Sequence, residues 1–332
     1  MDATSALLVN LTSPAVLAFF LGILACLVKS DLRVPQQVYD VISQYLLFSI
    51  GLKGGFALEQ SGIGDVLLPA GATLILGAST PFIAFWVARV IGRQSRINAA
   101  ALAAHYGSVS AVTFMAAISF VHVQYGEGSY ESYMTALLAL LEIPAILIGL
   151  VIASRARTAS GAQASAPFSH VLAEVFTGKT MILLIGGMVI GYVSGAPGKA
   201  LVEPVFFIPF QGVLVFFMLE MGIVAAERLR EIKRRDAVFL LAFGTLIPLL
   251  FAVFGAVLGI WAGLSVPGTL IFTVMAASAS YIAAPAAVRM SLPEANPAIY
   301  LSSALGVTLP FNLLVGIPLY QQLVVALHPM IS

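Results

Sequence analysis

The chain has 332 residues, 60% of them hydrophobic and only 9% charged, with a mean hydropathy of +1.01 and a formal net charge of +1. A soluble domain carries roughly 45–50% apolar and about 25% charged residues, so this composition excludes one and indicates an all-α integral membrane protein. The single cysteine, Cys26, excludes an internal disulfide framework and a thiolate metal cage.

Apolar runs of about 20 residues, enough to cross ~30 Å of hydrocarbon, recur along the chain. Uncharged, non-alternating stretches such as 182–193 and 239–260 argue for helices rather than barrel strands. Asp2 is the only charge before Lys29, so the first apolar run reads as a span and not as a signal peptide. Ten spans are predicted, near 13–28, 36–52, 65–91, 98–123, 131–153, 179–195, 204–226, 237–264, 268–290 and 299–326. The fourth is interrupted at 107–110 and the ninth at 277–280, each time by serines among small residues. A polar, Ala/Ser/Gly-rich stretch with Arg155 and Arg157 divides the chain into a first half (1–153), a linker (154–170) and a second half (171–332), with five spans in each half.

The halves parallel each other. LLFSIGLKGG (46–55) matches FMLEMGIVAA (217–226), with Gly51 against Gly222, and LEIPAILIG (141–149) matches VTLPFNLLVG (307–316), with Pro144 against Pro310. Pro35 and Pro204 each open the second span of their half. Running the first span from outside to inside leaves only Lys53 and Lys199, of 16 basic residues, on the outer face. The run Arg228, Arg230, Lys233, Arg234, Arg235 then serves as a topology anchor on the inner face, and no nucleic-acid site is expected. Five spans per half force the second half into the membrane in the opposite sense. The expected architecture is a 5+5 inverted repeat with both termini outside and two discontinuous helices that cross.

A helix broken at membrane depth needs protein or a water-filled cavity to satisfy its backbone, and it exposes a half-helix N-terminus of roughly +0.5 charge. Two such ends suit a small monovalent anion, while freed carbonyls and hydroxyls suit a hard cation such as sodium. No lysine or arginine lies near the middle of a predicted span, so anion recognition falls to backbone N–H groups and the hydroxyls of Ser108, Ser110, Thr113, Ser278, Ser280 and Tyr281. The competing reading is that these small residues only allow close helix packing. Glu142 and Glu220 are the two intramembrane acids; Glu142, Thr308 and Asn312 are read as polar neighbours of the crossing that could ligate sodium, and Glu220 as structural. His105 could orient a hydroxyl or serve a structural role, and His122 carries no site signal. No organic cofactor is indicated.

The segments GSVSAVTF (107–114), SASYIAAPAA (278–287) and RMSLPEANPAIYL (289–301) resemble the SbtA-type sodium-dependent bicarbonate transporters, and the similarity runs through essentially the whole chain. The resemblance implies a fold related to sodium/bile-acid symporters and sodium/proton antiporters. It also implies a homotrimer in the bacterial inner membrane that takes up bicarbonate with sodium. The substrate would lie at Gly107, Ser108, Val109, Ser110 and Ala111 with Ala277, Ser278, Ala279, Ser280 and Tyr281, and sodium among Ser108, Ser110, Thr113, Glu142, Ser278, Ser280, Thr308 and Asn312. The resemblance further implies a trimeric nucleotide-sensing regulator on the cytoplasmic face, for which the central linker is short. The expected mechanism is an elevator or rocking motion of a core (spans 3–5 and 8–10) against a scaffold (spans 1, 2, 6 and 7). The alternatives are a sodium- or proton-coupled transporter of another small anion, for whose proton-antiporting form the crossing lacks an aspartate, and an intramembrane hydrolase using Ser108 with His105.

Overall fold

The computed structural model describes residues 11–158, 177–232, 234–281, 284–285, 288–289 and 292–331. Most of the expected linker, 159–170, lies outside the described residues, as does Lys233. The described elements are helical: α1 (Pro14–Leu27), α2 (Gln36–Gln60), α3 (Ile63–Trp86, continued by a π turn over Val87–Ile91), α4 (Arg96–Gly107), α5 (Ala111–Tyr125) and α6 (Met134–Thr158). They continue as α7 (Lys179–Phe206), α8 (Phe210–Arg230), α9 (Arg234–Trp261), α10 (Val266–Ala276) and α11 (Pro297–Ile331).

Seven helices among the described residues are long and apolar enough to cross a membrane: Gln36–Gln60, Gly64–Ile91, Arg96–Tyr125, Met181–Phe206, Phe210–Arg230, Asp236–Trp261 and Pro297–Ile331. Pro14–Leu27, Met134–Gly149 and Val266–Ala276 are apolar but shorter. The last is short because the chain leaves the helix at Ala277. Exposed Leu17, Leu21 and Leu24 on α1, Val189 and Val193 on α7 and Leu246 and Leu250 on α9 form apolar outer faces suited to lipid tails.

Local chemistry explains most boundaries. Ser13, Ser95 and Ser265 cap α1, α4 and α10 by accepting the N–H of Val16, Asn98 and Gly268. Gly195 adopts φ 55°, which kinks α7 where the sequence ends a span, yet the helix resumes to Phe206. Pro204 therefore lies inside α7 rather than opening the next span; Pro209 precedes α8 instead. The expected parallel with Pro35, which does precede α2, fails at that point. Helix α2 also runs on to Gln60, past the expected end at 52, so that Lys53 is helical.

Two helix pairs make the largest interfaces, α2 with α7 and α1 with α8. Glycine makes both possible. A methyl group at Gly51 or Gly55 would strike the backbone of α7 at Leu184 or Met188, and one at Gly187 or Gly191 would strike α2 at Phe48 or Leu52. Between α1 and α8 the same holds at Gly22, against Leu219, and at Gly222, against Phe19. Such close backbone approach lets helices associate by dispersion where no hydrophobic driving force separates protein from lipid. The remaining helices α3–α6 and α9–α11 pack around the two broken segments.

Candidate functional site

Helix α4 stops at Gly107 because Ser108 is extended (φ −95°, ψ 173°), and α5 restarts after Ser110 (φ −102°, ψ 114°). Gly107 sits against the Pro81 ring of α3, where a Cβ would collide, and its carbonyl accepts from Thr80 Oγ1 at 3.2 Å. The second break follows α10 at Ala277, whose carbonyl accepts from Asn312 Nδ2 at 2.8 Å. Tyr320 Oη in turn donates to Asn312 Oδ1 at 2.7 Å.

The two breaks meet. The Ser110 N–H donates to Ser278 Oγ at 2.9 Å, and the Ser280 N–H donates to the His105 carbonyl at 2.8 Å. Each break thus supplies the other with a partner for a backbone donor that its own helix has lost. The second serines of both segments are caps: Ser110 Oγ accepts the Thr113 N–H at 3.0 Å and Ser280 Oγ accepts the Ala284 N–H at 3.1 Å. The first serines differ. Ser278 Oγ donates to the Met275 carbonyl at 2.9 Å besides accepting from Ser110, whereas Ser108 Oγ is buried with no partner.

Ser108 Oγ is one of several such atoms. Thr273 Oγ1 and His105 Nε2 are likewise buried and unpartnered, and Thr113 Oγ1 and Tyr281 Oη approach each other without a bond of good geometry. Roughly nine in ten buried polar groups have a partner, so a concentration of orphans in and beside the two broken segments calls for an explanation. A small cavity of about 10 Å³ lies at this point, lined by Val109, Ser110, Ala111, Glu142, Ser280 and Tyr281 among others. It is about the size of one water-sized sphere, too small for a planar oxyanion without movement of its walls. Glu142, buried on α6, brings a carboxyl group to the wall. The half-helix end of α5 adds the positive end of its dipole at the same point.

The other expected ligands sit farther back. Thr308 Oγ1 donates to the Gly244 carbonyl at 2.7 Å and lies 2.6 Å from Tyr106 Oη, which also bonds Ser303 Oγ at 2.7 Å. Asn312 is held at both ends by Ala277 and Tyr320. Both residues lie where α11 widens into π turns over Ser302–Thr308 and Asn312–Gly316, a distortion that frequently accompanies functional sites. Glu220 is partly buried on α8, in the helix set away from the breaks. Among the described residues no three His, Cys, Asp or Glu side chains converge as metal ligands.

His105 bonds the Ala101 carbonyl through Nδ1 at 2.8 Å and packs on Tyr300 at 4.7 Å between ring centroids. A carbonyl partner requires Nδ1 to carry a proton. Since neither His105 Nε2 nor Ser108 Oγ has a partner, the two are not bonded to each other, and the nucleophile–base contact of a hydrolase is not formed. Thr80, Tyr106, Thr273 and Tyr320 belong to this region and were not singled out by sequence. Tyr106 adjoins His105 beside the first break, and Tyr320 lies eight residues past Asn312 on the same helical face, so both carried a faint signal.

No curated protein matches the chain. Residues 14–325 match the family described as the Na+-dependent bicarbonate transporter superfamily. Covering nearly all of the chain, with two broken helices bonded to each other inside it, this match places the protein in the Na+-dependent bicarbonate transporter superfamily.

Proposed function

We propose that the chain is a secondary transporter that takes up bicarbonate by sodium symport, with the anion held between the two breaks. The observation that carries this reading is the buried, unpartnered Ser108 Oγ in the first break, together with Thr113 Oγ1 and Tyr281 Oη, which lack bonds of good geometry, Tyr281 in the wall of the small cavity at the breaks. Hydroxyl protons and half-helix N–H groups donate to the anion; the hydroxyl oxygens, Glu142 and break carbonyls face sodium. Gly107, Val109, Ala111, Ala277 and Ala279 contribute backbone only, with the Gly107 and Ala277 carbonyls already held by Thr80 and Asn312. Thr308 and Asn312 act from behind, fixing α11 against the second break. Sodium supplies positive potential next to the anion, so each ion tightens the other by the same factor.

The architecture we infer is ten spans in a 5+5 inverted repeat, residues 1–153 and 171–332 around the linker. Reciprocal packing supports it: the first span lies on the seventh and the second on the sixth, the arrangement a two-fold relation between halves requires. Gly51 and Gly222, paired by sequence, occupy matching contacts in those two interfaces. The glycine-packed pairs serve as the scaffold, and the helices around the breaks move against it, elevator-like, to expose the site to either side. In this reading the protein is a homotrimer in a bacterial inner membrane with both termini on the outer side, has no enzymatic role, and offers its cytoplasmic face to a trimeric nucleotide-sensing regulator.

Proteoliposomes containing the chain take up labelled bicarbonate when a sodium gradient is imposed and not when potassium replaces sodium. Uptake indifferent to sodium, or sodium-driven uptake of another small anion in preference to bicarbonate, contradicts the proposal.

A further inference from the structure

A second, larger cavity of about 320 Å³ lies between α2, α5, the loop before α6 and the start of α8. Its polar lining consists of Lys53, His122, Tyr130, Ser132, Thr135 and Gln211, all able to donate hydrogen bonds, with no carboxylate among them. Glu127 approaches His122 and Tyr130 from outside the lining. Among the described residues Lys53 has no carboxylate partner; its ammonium rests on the faces of Phe210 and Phe207, 4.0 and 5.3 Å from their centroids. A cation held on aromatic faces keeps most of its charge available to a ligand.

The linings of this cavity and of the crossing are bridged by a third. A smaller cavity lies between them, sharing Ile50 and Met115 with the large one and Leu47, Ala111 and Val112 with the site at the breaks. The two walls of this seam are single faces of α2 (Leu47, Ile50) and α5 (Ala111, Val112, Met115). Lys53 also breaks the internal repeat: aligned on Gly51 and Gly222, its counterpart is Val224. Features shared by both halves serve both faces of an inverted repeat, whereas a charge present in one half serves one face.

We propose that the cavity around Lys53 is a second anion site, which captures a compact monovalent oxyanion and delivers it along the α2–α5 seam to the breaks. Ile50 and Met115 form the apolar constriction between the two sites. The assignment of bicarbonate as the captured anion rests on the transport reading, but the capture site is testable without transport. In purified protein carrying Cys26→Ser and Ser132→Cys, bicarbonate slows maleimide labelling of the introduced thiol several-fold relative to chloride at equal ionic strength. Lys53→Gln in that background abolishes the protection and Lys53→Arg keeps it. Labelling unaffected by bicarbonate, or slowed equally with Lys53→Gln, overturns the proposal. In proteoliposomes Lys53→Gln raises the KM for bicarbonate about tenfold, the loss of one charge-assisted contact, with Vmax little changed. A KM equal to that of the unsubstituted chain likewise overturns it. Protection by bicarbonate without any sodium-driven uptake by the unsubstituted chain supports the capture site and removes the transport reading instead.

Discussion

The two breaks carry matching serines with opposite fates. Ser278 is consumed by the protein: its hydroxyl donates to Met275 and accepts from Ser110, pinning one broken segment to the other. Ser108, its counterpart in the first half, is just as buried yet bonds nothing. Under the proposed transport reading, two similar serine motifs divide between holding the crossing together and leaving a donor for the anion. Burying a hydroxyl without a partner costs about 1–3 kcal/mol, a cost that an anion bonded to Ser108 would offset.

Substitutions can break or sharpen this contrast. Ser108→Ala removes no bond made by the protein and relieves the cost of an unpaired buried hydroxyl, so its melting temperature is unchanged or raised while sodium-dependent uptake falls roughly ten- to a hundredfold, the loss of one hydrogen bond to a charged ligand. Ser278→Ala does the reverse: it strands the buried Ser110 N–H and destabilises the fold by about 1–3 kcal/mol, read by thermal unfolding, with uptake lowered only in proportion to protein lost. Equal behaviour of the two variants in both measurements would erase the distinction. Thr113→Val, which deletes a buried hydroxyl that makes no bond of good geometry, costs no stability and weakens bicarbonate affinity several-fold in a KM determination. The smallest effect is expected from Tyr320→Phe, which deprives Asn312 of one donor and costs about 1 kcal/mol in the same unfolding assay without altering the KM.

Much of this was legible in the sequence because composition and periodicity report directly on what faces lipid. The breaks were visible as polar residues inside apolar runs, and Gly51 and Gly222, set against each other in sequence, both lie at close backbone contacts. What sequence could not assign was which hydroxyl bonds to what. Ser108 and Ser278 look identical in one dimension, and only the crossing geometry gives Ser278 two partners. Thr308 and Asn312 were read as possible sodium ligands, yet their polar atoms meet Gly244, Tyr106, Ala277 and Tyr320, partners set by long-range packing. Lys53 was read as a charge beyond a span end because glycine and apolar content say nothing about where a helix stops; α2 carries it onto Phe207 and Phe210.

The most direct measurement is the thermal stability of purified protein titrated with bicarbonate in sodium. A ligand bound at the crossing stabilises the native state by about 2.7 kcal/mol at a hundredfold excess over its Kd, so the melting temperature rises for the unsubstituted chain and for Ser278→Ala from its lower baseline, and by about half as much or less for Ser108→Ala at the same concentration. A Ser108→Ala protein that gains the full shift, or an unsubstituted chain that gains the same shift when potassium replaces sodium, would contradict the placing of bicarbonate and sodium between the two breaks.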